Sequence, residues 1–127
     1  MDERIIPASM QAQYDNFHFA PAVRVGELLL CSGQIGTDAS GACQDDPEEQ
    51  FTAAFEGLKT IVEQAGGSMA DVVEMTTYHT DMSHLGTFMK VKDRFVAEPY
   101  PAWTAIGCTE LALPGALVEI RAQAHIS

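Results

Sequence analysis

Positive charge is scarce in this chain of 127 residues: seven lysines and arginines stand against eighteen aspartates and glutamates, a net charge of −11. Binding to nucleic-acid phosphates or anionic membrane surfaces is largely cation-driven, so neither is expected as a partner. Cysteine is sparse as well. Cys31, Cys43 and Cys108 are an odd number, widely spaced and without a CxxC pair, which points to free thiols in a reducing compartment. The start Met1-Asp2-Glu3-Arg4 lacks the basic residues and apolar run of a signal peptide. The longest apolar stretches, such as Leu28-Leu29-Leu30-Cys31, are far too short to span a bilayer. A cytoplasmic location is therefore expected. Phosphate loops of the GxxxxGK or GxGxxG type are missing, and Ser32 has no GxSxG elbow around it. His18, His79, His84 and His125 do not fall at metal-ligand spacings, so no metal and no cofactor are expected.

What is present suits one packed domain over residues 1–127, with 46% apolar and 20% charged residues. Two strands are expected over about Phe17–Val25 and Leu28–Ile35, joined at Gly26-Glu27. Asp45 or Asp46 can cap a helix that opens on Pro47 with Glu48 and Glu49 in its first turn. Phe51, Ala54, Phe55, Leu58, Ile61, Val62 and Ala65 then recur at spacings of three and four, and Gly66-Gly67 ends the helix. A third strand is predicted over about Val72–Asp81. A second helix follows near His84–Ala97, with Leu85, Phe88, Val91 and Phe95 as its apolar stripe and Lys92 mostly outside it. In the last strand Val118, Ile120, Ala122, Ala124 and Ile126 alternate with Glu119, Arg121, Gln123 and His125, which predicts one buried and one solvated face. The order is ββαβαββ: an α+β sheet with both helices on one side, leaving the other free to pack against copies of itself.

The run Pro99-Tyr100-Pro101-Ala102-Trp103-Thr104-Ala105-Ile106-Gly107 leads from an extended, proline-punctuated approach into a strand. It fixes a large ring, Trp103, at that strand's start. Together with Ser32-Gly33-Gln34-Ile35, Ala65-Gly66-Gly67, Asp71-Val72-Val73, Thr80-Asp81-Met82 and Leu113-Pro114 before Val118-Glu119-Ile120, the chain resembles the Rid (YjgF) family. That family is also labelled reactive intermediate deaminase or L-PSP endoribonuclease. The Tyr78-His79-Thr80-Asp81 and Tyr-Pro-Ala-Trp runs are most similar to its YjgH branch.

The resemblance implies a chorismate-mutase-like fold, a homotrimer whose sheets form a central barrel, and small-molecule clefts between subunits. Deaminase members hydrolyse amino-acid imines with an arginine that holds the substrate carboxylate and a glutamate associated with the attacking water. The glutamate position is Glu119. The arginine position is Trp103, a tyrosine position is Phe19 and an asparagine position is Met89, so the polar set departs from the family's. A guanidinium pairs with a carboxylate through two charge-assisted bonds, whereas an indole offers one neutral donor.

The site expected from this pattern has Glu119 as the catalytic group, with Trp103, Phe19, Met89, Ser32, Gly33 and Arg121 around the ligand. If Phe19, Met89 and Trp103 wall Glu119, the cleft favours a neutral planar or amine-bearing ligand over an anion. Other readings stand beside this one. Trp103 serves equally as a core or interface residue. Glu119 serves equally as the partner of Arg121, two residues along the strand, and Arg121 is an alternative source of the missing cation. The expected function is hydrolysis of an imine- or enamine-type small molecule at an intersubunit cleft, but not the family's usual deamination of amino-acid imines; a non-catalytic metabolite-binding or regulatory trimer is the alternative and a nuclease comes last.

Overall fold

A computed structural model describes residues 2–127. The chain runs β1 (Asp2–Ile5), α1 (Gln11–Phe17), β2 (Ala22–Val25), β3 (Leu28–Gln34), α2 (Pro47–Gln64), β4 (Val72–His79), α3 (Leu85–Phe95), β5 (Ala102–Gly107) and β6 (Val118–His125). The six strands form one sheet in the order β1-β2-β3-β6-β4-β5. Only β4 and β5 pair in parallel, because α3 carries the chain back between them; every other pairing is antiparallel.

The alternation of β6 is realised. Val118, Ile120, Ala122 and Ala124 are buried, while Glu119, Arg121, Gln123 and His125 are partly or fully open. The buried residues face α2, whose Phe51, Ala54, Phe55, Leu58, Ile61 and Val62 are sealed in the same core. Its start is fixed as expected: the Asp46 side chain accepts the Glu49 N–H at 3.0 Å and Pro47 takes the first turn. α3 lies alongside, with Phe88 edge-on to Phe51 and Phe95 stacked on Phe55.

The structure departs from the sequence expectation at its N-terminus. The strand expected from Phe17 begins only at Ala22, because Phe17 ends α1 and His18 closes that helix in the left-handed conformation (φ 61°), its N–H bonded to the Tyr14 carbonyl. A further strand, β1, extends the sheet beyond β2. α1 buries none of its residues, so it has no apolar periodicity to announce it. β4 ends at His79 rather than Asp81, and Met82–His84 is a 3₁₀ turn before α3 begins at Leu85.

Candidate functional site

Glu119 stands on the sheet face away from α2 and α3, and an irregularity in β3 shapes its surroundings. Cys31 pairs with Ala122 and Gln34 with Ile120, so β3 spends three steps where β6 spends two. The resulting bulge at Ser32-Gly33 brings the backbone against the Glu119 side chain. A Cβ on residue 33 would sit 2.6 Å from Glu119 Cδ, so the bare glycine leaves the carboxylate side chain the room it occupies. The Ser32 N–H and hydroxyl are both committed to the preceding loop, donating to the Pro21 carbonyl at 2.8 Å and the Ala20 carbonyl at 2.6 Å. The buried Gln34 amide donates to the Gly33 carbonyl at 3.2 Å and holds the bulge from inside. From the other side the buried Gln50 side chain accepts the Leu117 N–H at 2.6 Å, fixing the entry to β6.

Glu119 and Gly33 form one end of a cleft of about 420 Å³ whose walls include Phe17, Phe19 and Leu113. Among the described residues the Glu119 carboxylate has no ion pair or side-chain hydrogen bond. The pairing with Arg121 is not formed. Arg121 is exposed and lines a separate, smaller hollow of about 220 Å³ with Ser32 and Gln123.

Trp103 and Met89 lie elsewhere in the protomer. Trp103 is in register with Met75, which pairs with Ala122 on the helix-facing side of the sheet. Ile106 is in register with Tyr78, which pairs with Glu119 on the opposite side. The indole therefore points toward α3 and packs on Phe88, with ring centroids 6.0 Å apart. Its N–H donates to Thr77 Oγ1 at 2.9 Å, and the same hydroxyl meets His79 Nε2 at 2.7 Å. Burial pushes the His79 imidazole below its usual range. Met89 is largely exposed on α3. Within one chain, Phe19, Ser32, Gly33 and Glu119 come together, whereas Trp103 stands apart at the β5 edge and Met89 on α3.

Lys92 corrects the sequence reading further. Its side chain is buried, with Nζ 4.7 Å from the Trp103 ring centroid and 5.9 Å from that of Tyr100. The expectation of a neutral planar or amine-bearing ligand rested on Phe19, Met89 and Trp103 walling Glu119 in place of an arginine; within one chain Trp103 stands apart from Glu119 and has a cation beside it. Position 92 lies four residues after Phe88 and seven after Leu85, on the apolar stripe; the charge alone suggested otherwise. Phe17 and Leu113 were also missed as cleft walls, one assigned to a strand and the other to a loop. Cys31 is a buried thiol with its pKa pushed up to about 12, which makes it inert. Among the described residues no cluster of three His, Cys, Asp or Glu side chains could hold a metal ion, and no helix is long and apolar enough to cross a membrane.

The family model for endoribonuclease L-PSP matches residues 10–126. The chain belongs to that family, the Rid/YjgF family. It is 36% identical to the RutC family protein YjgH of Escherichia coli over 110 residues, which is 85% of this chain and 84% of that relative. The solved structure of protein YJGH superposes with a TM-score of 0.89 at 35% identity, covering 98% of this chain and 95% of that one. A 2-iminobutanoate/2-iminopropanoate deaminase of Dermatophagoides farinae is 30% identical over 99 residues, covering 73% of this chain and 74% of the relative. The six-stranded sheet with its helices is the chorismate-mutase-like α+β fold of the YjgF proteins.

Proposed function

We propose that this Rid-family protein hydrolyses an imine- or enamine-type small molecule in a cleft between two copies of the chain, with Glu119 positioning and activating the attacking water. The observation that carries this reading is the free Glu119 carboxylate, packed against Gly33 in the lining of a largely apolar cleft. An unpaired carboxylate is an acceptor for a water proton, and apolar walls limit competing solvation. The 2-iminobutanoate/2-iminopropanoate deaminase among the relatives supports the reaction class.

A second copy gives the two separated groups a common purpose. The sheet face that bears Glu119 also exposes Leu28, Leu30 and Ile106, apolar positions that a homotrimer would cover. β5 is one of the two edges of the sheet, so Trp103 and its neighbours stand where an adjoining copy can meet them. Each cleft then takes Glu119, Gly33 and Phe19 from one copy and the β5 edge from the next.

A metabolite-binding trimer without turnover is the second reading, favoured by the indole at position 103. Nuclease activity is disfavoured by charge: Lys90 and Arg94 are drawn to Glu48, and Arg24 is spent on backbone carbonyls, so little remains for a basic groove. Glu119→Gln separates the first two readings. Measured on 2-iminopropanoate, the variant should lose at least about a hundredfold in kcat while retaining ligand binding. Unchanged turnover would remove Glu119 from the mechanism.

A further inference from the structure

We infer that Lys92 is the anion-recognising group of the β5 half-site, so that the ligand carries a carboxylate. The inference rests on the reading above in one respect, that the β5 edge belongs to the ligand cleft.

Lys92 is unlike every other cation of the chain. Lys90 and Arg94 pair with Glu48, and Arg24 donates to three backbone carbonyls. Arg4 and Arg121 are exposed and Lys59 is partly so. Lys92 alone is buried, at 8% exposure, and its ammonium has no hydrogen bond or ion pair among the described residues. Eighteen acids were available to pair with it. The chain instead seats the ammonium against the Trp103 and Tyr100 rings.

Ring faces attract a cation but leave its three N–H donors unfilled. Nζ is not among the sealed, unsatisfied polar atoms, so it keeps an opening to solvent. A ligand carboxylate meeting it finds three unfilled donors on an ammonium held in place by its buried stem and two rings. Lys92 also explains why the indole is tied down. The Thr77 bond and the Phe88 contact hold the ring so that one face supports the ammonium.

The test compares pyruvate with its neutral isostere pyruvamide on the intact, assembled protein. Binding is read by calorimetry and by the emission of Trp103, the sole tryptophan. Pyruvate should bind roughly ten- to a hundredfold more tightly than pyruvamide. Lys92→Met should abolish that preference and Lys92→Arg should keep most of it. A simple packing role for the lysine stem would leave the ratio of the two affinities unchanged in both variants. Pyruvate binding no better than pyruvamide in the unaltered protein, or a preference that survives K92M, overturns the role of Lys92. The hydrolytic reading fails by a different result, turnover that persists in E119Q.

Discussion

Removing one hydroxyl tests how Trp103 is anchored. Thr77 is fully buried, and its Oγ1 accepts the indole N–H at 2.9 Å while meeting His79 Nε2 at 2.7 Å. Thr77→Val keeps the shape and the β-branch suited to a strand but deletes both bonds. Two polar groups then lose their partner. The imidazole is only 1% exposed, so its nitrogen bears the full penalty of about 1–3 kcal/mol. Its Nδ1 is already without a partner, which leaves the ring no compensating bond. The indole is half-buried and can recover part of its loss from water, so it adds about 0.5–1 kcal/mol. The sum is about 1.5–4 kcal/mol, worth roughly 5–16 °C in Tm at this chain length. Urea and thermal unfolding followed by far-UV circular dichroism, at fixed protomer concentration, read it directly. Trp103→Phe in the same background isolates the indole bond, with a coupling energy of about 0.5–1 kcal/mol. A T77V protein within about 0.5 kcal/mol of the unaltered one would refute the placement of the indole and imidazole on this hydroxyl.

Two further outcomes follow from the geometry. Gly33→Ala should displace the Glu119 side chain, because the added methyl overlaps it; imine turnover should fall by about tenfold or more while thermal stability changes by less than about 2 kcal/mol. His79 should make stability fall on acidification. Its folded pKa lies below the ordinary 6.5, so below that pH the unfolded chain takes up a proton that the buried ring resists. The loss grows as pH drops from 6.5 to the folded pKa and is absent above 6.5; His79→Gln should flatten that limb in unfolding measurements between about pH 5 and 8.

Much of the fold was legible because its elements bury one face. α2 announces itself by a capped start and seven apolar residues at helical spacing, and β6 by an alternation that each side chain obeys. α1 was illegible for the converse reason, since its residues are nearly all exposed and carry no pattern. At the site, Glu119, Gly33 and Phe19 came together as their motifs suggested. Trp103 did not join them, because which face a strand residue occupies depends on register, and the register of β5 is set by its parallel pairing with β4. Lys92 sat on the right stripe for burial, yet lysines so rarely lie in a core without a partner that its charge concealed it.

Division of the site between two copies is tested most directly by pairing broken halves. E119Q disables one half and Trp103→Ala the other, and each is first shown to assemble. Differently tagged chains are co-expressed and the mixed oligomers isolated. Every trimer that contains both chains has one cleft in three with both halves intact, so activity on 2-iminopropanoate should return to about a third of the unaltered level. Mixed oligomers no more active than the two variants measured separately, or a W103A trimer as active as the unaltered protein, would contradict the shared cleft.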